Sequence, residues 1–305
     1  MAAYVARRLF HSIYVVLGVA TITFFLVRLT GDPVTLMLPL DATPEDAARL
    51  RAALGLDKPL LVQFFTFLVS LARGDLGTSL RYGLPNLELV LERLPATLEL
   101  SFAALAFALL LAFPVGILSA VRPGSLIDHL GTVLALVGQA MPVFWLGLML
   151  ILNFSVRLQW LPSFGRGTFA HLIMPSIALG MYSAALITRL LRSGMLETLG
   201  LDFIRTAWAK GLNTPSVVLK HALRNAVIPV LTVIGLQTGG LLGGAIVTET
   251  VFAWPGMGQL VVQAIAHRDF PLVQAALIII ALMFVLVNLV VDVLYAVVDP
   301  RIRYS

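Results

Sequence analysis

At 305 residues, the chain is 59% hydrophobic and 12% charged, with a formal net charge of +5 and a mean hydropathy of +0.95. A soluble domain carries roughly 25% charged residues, so this composition reads as an integral membrane protein. The basic residues lie in short clusters between apolar runs, which argues for membrane orientation and against nucleic acid. With no cysteine in the chain, disulfides, thiol catalysis and cysteine metal sites are excluded.

A bilayer crossing needs about 20 apolar residues at 1.5 Å of rise each. Met1 to Arg8 is short and basic, and the run 9–29 that follows has the length of a retained first span. No small-x-small cleavage site follows it. Residues 30–95 form one long outer loop. Inside it, Thr43, Pro44 and Asp46 make a capped helix start, with an end near Gly55. The apolar stretch 59–71 is too short to cross and is flanked by charges, so it reads as an interfacial or packed helix. A second span is expected at 96–121, kinked at Pro114, then an inner return from Arg122 to His129. The third, 130–156, contains Pro142, and a short outer loop with Trp160 at headgroup level follows. The fourth runs over 173–191, with Arg189 and Arg192 marking its inner end.

The interval 201–225 is the polar break of the second half. Asp202 caps a helix over 203–210 that Gly211 ends; Thr214 and Pro215 start a second short helix. The pair carries Arg205, Lys210, Lys220 and Arg224 beside Ala207, Trp208, Ala209, Val217 and Val218, read here as exposed. Such a hairpin is either a solvated positive-inside loop or a docking knob, small at Ala207 and Gly211. The fifth span, 226–252, holds Gly235, Gly239 and Gly243 every four residues, a stripe that lets helix backbones approach closely. Pro255 ends it, and a sixth span covers 273–298. The expected fold is all-α: a single transmembrane domain over 1–305 with six spans and both termini cytoplasmic.

The sequence RTAWAKG followed by KHALRNAVIP resembles the coupling-loop signature of the inner-membrane permease subunits of binding-protein-dependent ABC importers. Arg205, Thr206 and Ala207 stand where the general motif has Glu-Ala-Ala, and Gly211 keeps its spacing; the departure is the form usual in the dipeptide, oligopeptide and nickel branch. RRLF, the GDP at Gly31 to Pro33, GDLGTSL, GLQTGGLLGGAIVTETVFAWPGMG, HRDFPLVQA and DVLYAVVDPRIRY extend the same resemblance along nearly the whole chain. It implies a type I importer permease of the bacterial cytoplasmic (inner) membrane. Its partners would be a paralogous permease, two ATP-binding subunits and an extracytoplasmic solute-binding protein, with the lipid bilayer around it and no nucleic acid. The docking residues implied are Arg205, Thr206, Ala207, Ala209, Lys210, Gly211, Leu212, His221 and Arg224.

No catalytic constellation accompanies these features. The chain has no Gly-Lys pair and so no phosphate-cradling loop, so no cofactor is expected in it; ATP and magnesium would sit on partner subunits. His11, His129, His171, His221 and His267 lie on separate segments, against a metal site. A secondary carrier would need midplane charges, and the spans nearly lack them. Glu99 and Glu249 lie near outer ends, and Asp292 toward an inner end. They read either as interfacial charges paired with a neighbouring span or, for Glu99 and Glu249, as the mouth of a substrate path. Gln139, Asn153 and Gln237 are the polar candidates for lining that path.

Overall fold

The computed structural model describes residues 2–29, 34, 43–53 and 55–298. The motif at Gly31–Pro33 and the tail with Arg301 and Arg303 lie outside the described residues, as do the side chains of Arg7, Arg8 and Asp292. The helices are α1 (Ala2–Leu29), α2 (Pro44–Ala53), α3 (Leu60–Ala72), α4 (Asn86–Val121), α5 (Leu126–Ala140) and α6 (Val143–Leu150). They continue with α7 (Phe169–Leu199), α8 (Asp202–Ala209), α9 (Leu223–Val251), α10 (Met257–Ala266) and α11 (Phe270–Val298). Wide π-helical turns extend α6 over Ile151–Arg157 and precede α9 over Ser216–Ala222.

Among the described residues, four stretches are long and apolar enough to cross a membrane: Asn86–Val121, Phe169–Leu199, Ser216–Leu241 and Phe270–Val291. The span expected over 130–156 with Pro142 inside it is a pair of helices, α5 and α6, bent by 107° at that proline, and counts as a fifth if the pair is one span. Met141 and Pro142 both adopt extended backbone there. Proline has no N–H to give the preceding turn and pushes its neighbour out of the helical region, so the helix stops and restarts. The helix α4 starts at Asn86 rather than near 96; its first turns carry Glu88, Glu92 and Arg93, whose polarity hides the helix from a hydropathy reading.

Packing divides the chain into two units, Met1–Ala96 with Pro255–Leu286 and Thr97–Trp254 with Val287–Ser305. In the first, Val90 of α4 meets Met257, Leu260, Val261 and Ala264 of α10 and Leu272, Val273 and Ala276 of α11. The expected cap at Thr43 is present: its N–H and hydroxyl donate to Asp46 (3.1 and 2.7 Å), and the Asp46 N–H returns to the hydroxyl. The Thr43 hydroxyl, and then its N–H, hold the Asp46 carboxyl below its ordinary value.

The GDLGTSL segment is a built loop. Gly74 and Gly77 take positive φ of 77° and 73°, a region that glycine enters without a Cβ penalty. Between them the Asp75 carboxylate accepts the Gly77 N–H at 2.8 Å. Asn86, fully buried, donates to the Leu76 carbonyl at 2.8 Å. Buried Asp269, in the HRDFPLVQA segment, accepts the Ser79 hydroxyl and the N–H groups of Leu80 and Arg81 (3.1 and 3.3 Å). It also caps α11 by accepting from the Leu272 N–H. Two motifs 190 residues apart thus meet through one carboxylate.

In the second unit α7 packs against α5, α6 and α9. Gly180 of α7 also faces α4, where a Cβ would fall on the Ala104 carbonyl oxygen, and Gly138 of α5 faces Met181 of α7. The glycine stripe of α9 does not act as one surface: Gly235 and Gly239 are buried, whereas Gly243 is exposed and nothing within 4 Å would meet its Cβ. The helix period of 3.6 rather than 4 rotates the third glycine off the packed face.

Replacing Asp269 with Ala leaves the Ser79 hydroxyl and two N–H groups unpaired, at a cost of about 1–3 kcal/mol for each buried group. The expected outcome is tryptic cleavage after Arg81 at least tenfold faster, with α4 to α9 still protected. An unchanged cleavage rate would show that Asp269 does not hold the loop.

Candidate functional site

The segment between α7 and α9 has one apolar side and one polar side. Leu201 is the residue before α8, in extended backbone, and donates no side-chain cap. Asp202 is therefore the first residue of α8 and not its cap, placed where the positive end of the helix dipole favours an acid. It lies 3.5 Å from Arg205 in an exposed pair, of a kind that adds little stability. Ile204 and Ala207, three apart on one face, are 1% and 7% exposed. They join a cluster with Ile187, Leu191 and Met195 of α7, Val217, Val218 and Ala222 of the π turn, and Ala226 and Val230 of α9.

This corrects the expected docking face: Ala207, Val217 and Val218 point into their own chain, because the helix must bury its short apolar stripe against the nearest apolar surface. Arg205, Thr206, Trp208, Ala209, Lys210 and Gly211 remain exposed, as does Arg224, while Leu212 and His221 are half-buried. Phe203, Trp208 and Leu219 add exposed apolar surface, between 42% and 55%.

Gly211 ends α8 with φ of 78°, and an L residue there carries about 1–2 kcal/mol of backbone strain. Nothing stands within 4 Å of its Cβ position, so the space above it is open. The second helix is capped by Asn213, whose side chain accepts the Ser216 N–H at 3.0 Å, and not by Thr214. It is also not a separate short helix. The π turn passes directly into α9, so α8 sits against the end of one long helix, α7, and the start of another, α9.

The substrate-path candidates are each engaged within the chain. Glu99 pairs with Arg166 at 2.6 Å, and Gln139 accepts from Arg189 at 2.7 Å. Asn153 donates to the Met149 carbonyl at 2.8 Å, on the π turn of α6. Gln237 donates to the Ser183 hydroxyl at 3.0 Å. Glu249 is fully buried and accepts the Thr97 hydroxyl at 2.6 Å. Among the five, Glu249 is away from any open surface, as expected of a carboxylate paired with a neighbouring helix. No group of three or more His, Asp or Glu side chains that could hold a metal occurs among the described residues. His171 and His129 serve as helix-terminal hydrogen-bonding residues, with Thr168 and the Ser125 carbonyl.

Asp128 is the important residue that the sequence analysis passed over. Only 5% exposed, it binds the guanidinium of Arg192 in a two-pronged pair at 2.5 and 2.8 Å and accepts the Gly124 N–H at 2.9 Å. The pair ties the turn between α4 and α5 to α7, two turns before that helix ends at the segment carrying α8. The legible signal was Ser125-x-x-Asp128, a capping pattern realised when the Ser125 hydroxyl accepts the Asp128 N–H.

Comparison with known proteins decides what this arrangement belongs to. Residues 112–304 match the family described as "Binding-protein-dependent transport system inner membrane component", and residues 1–101 match the N-terminal region of the same transport-system membrane components. The chain belongs to this family of binding-protein-dependent permeases. Among its relatives, the dipeptide transport system permease proteins DppB of Alkalihalophilus pseudofirmus and Escherichia coli K12 are 45% and 44% identical over the full length of both chains. The glutathione transport system permease protein GsiC of Salmonella paratyphi A is 44% identical, again over both full lengths. A solved inward-facing MetNI methionine ABC transporter has a chain of the same fold, with a TM-score of 0.60 and 21% identity over 70% of this chain and 97% of that one. This permease is a multi-pass membrane subunit of a binding-protein-dependent importer and works with solute-binding and ATP-hydrolysing partners. It is not itself an enzyme.

Asp128→Ala leaves the Arg192 guanidinium without its partner and removes the acceptor of the Gly124 N–H. The Asp128→Ala protein is expected to unfold at clearly lower temperature in detergent, while Asp128→Leu with Arg192→Met recovers most of the loss. Equal destabilisation by both variants would contradict a pair whose cost lies in the unpaired charge.

Proposed function

We propose that this permease forms half of the translocation path of an importer for dipeptides or related small peptides in the bacterial cytoplasmic membrane. It pairs with a second, non-identical permease; two ATP-binding subunits, carrying ATP and magnesium, dock on the inner side, and an external binding protein delivers the solute. The observation that carries this reading is the two-sided α8: one face built into the packed ends of α7 and α9, the other presenting Arg205, Trp208, Lys210 and the open space above Gly211. A helix held in this way moves with the spans. Close-packed interiors transmit displacement rather than absorb it, so a pull on the exposed face of α8 shifts α7 and α9 together.

In this reading α1 is the sixth span, its two ends set by the basic Arg7 and Arg8 inside and the long loop outside. The glutathione permease relative, equal in identity and coverage to the dipeptide relatives, supports a second reading in which the solute is a tripeptide thiol such as glutathione. The two readings share one mechanism and differ only in what the binding protein captures. Competition among dipeptides, tripeptides and glutathione for uptake by the reconstituted importer discriminates them: inhibition by dipeptides alone supports the first, inhibition by glutathione alone the second.

Arg205→Glu combined with Lys210→Glu reverses the exposed charge of the docking face without touching its buried side. Normal membrane levels are expected, with loss of ATPase-subunit co-purification and at least a tenfold fall in transport. Ala207→Arg acts differently, lowering the level of the permease itself because the new charge falls inside the cluster. Full transport by the Arg205/Lys210 double variant would sink the docking assignment.

A further inference from the structure

The helix α3 has no buried residue and no charged one. Within the first unit it packs on α1 through aromatic rings: Phe24 lies 5.1 Å from Phe64 and 5.5 Å from Phe67, and Phe25 lies 5.7 Å from Phe64. The flank turned away from these contacts carries Leu61, Phe65 and Val69 at four-residue spacing, 66%, 63% and 50% exposed, with Val62 beside them. The remaining arc is polar and narrow, made by Gln63, Thr66 and Ser70. Two of its members bond to backbone: Gln63 donates to the Leu56 and Lys58 carbonyls, and Thr66 donates to the Val62 carbonyl.

Depth follows from the partner. Phe24 and Phe25 lie within the apolar stretch Ile13–Leu26 of α1, three to four residues before the charged Arg28, about 5 Å at 1.5 Å per residue. A helix stacked on those rings is therefore level with hydrocarbon, not with water. Orientation follows from the ends. Exposed Asp57 and Lys58 precede α3, and exposed Arg73 and Asp75 follow it. A helix standing along the bilayer normal would drive one charged end into the hydrocarbon, whereas one lying along the plane keeps both at headgroup level.

We infer that α3 is a lipid-facing helix lying in the outer leaflet, with Leu61, Phe65 and Val69 covered by acyl chains and the Gln63–Thr66–Ser70 arc turned to the headgroups. It extends the exposed apolar surface of α1, where Leu17, Ile22 and Leu26 are between 41% and 61% exposed, into one continuous lipid contact. It braces the outer end of α1 and anchors the loop of Gly74 to Asn86, which follows directly in sequence. This inference rests on α1 being a span.

Because the chain has no cysteine, single substitutions Leu61→Cys, Phe65→Cys and, as reference in α1, Leu17→Cys each carry one nitroxide label. The assembled importer is reconstituted in phospholipid bilayers, and collisions with oxygen and with a water-soluble nickel chelate are measured. Oxygen collisions should exceed nickel collisions severalfold at all three sites. Dominant nickel collisions at Leu61 and Phe65, with Leu17 still in lipid, would place α3 in water and overturn the inference alone. Exclusion of both quenchers there would mean that protein, such as the second permease, covers this flank, and would overturn it as well. Nickel access at Leu17 itself would overturn the span reading of α1 along with the inference.

Discussion

The burial of Ile204 and Ala207 against α7, α9 and the π turn is the contact on which the junction between α7 and α9 depends. An eight-residue helix is too short to hold its own conformation in water, so α8 exists because its apolar stripe has a surface to cover. That surface is made by the end of α7 before it and by the start of α9 after it, each joined to α8 through a short turn. The segment is consequently not a flexible tether between helices but a corner of their packed core, with its other face exposed.

Polar groups elsewhere obey the same economy. Where so little charge is present, each ionisable group near an apolar surface needs a partner close by. Glu99 has Arg166, Asp128 has Arg192, and Gln139 has Arg189. Asp269 gathers a serine hydroxyl and three backbone N–H groups. These contacts sit at helix ends and turns, where they fix how one helix enters the next. Inside the helices small residues serve instead. Gly180 at the Ala104 carbonyl and Gly138 at Met181 set the distance at which neighbouring helices can pack.

Much of this was readable from residue order. The Thr43 cap, the end of α8 at Gly211, the break at Pro255 and the start of the last span all follow from local rules, and local rules need only neighbours along the chain. The errors have a common origin. Ala207 and Val217 were expected outside because small and apolar residues beside charges look like a knob, yet their burial depends on Met195 and Val230, which no local pattern brings near. Gly243 was grouped with Gly235 and Gly239 by spacing alone, and the span containing Pro142 carried no sign of the 107° bend that the structure shows there.

Sequence by itself determined that the chain is a helical membrane protein, where most of its long apolar helices lie, and which polar segment interrupts its second half, because hydropathy, charge and punctuation are carried by consecutive residues. Only the tertiary structure decided which side of that segment is free, which carboxylates are paired, and that motifs 190 residues apart meet at Asp269. Those outcomes depend on which surfaces come together when helices pack, and packing joins residues that the chain keeps far apart.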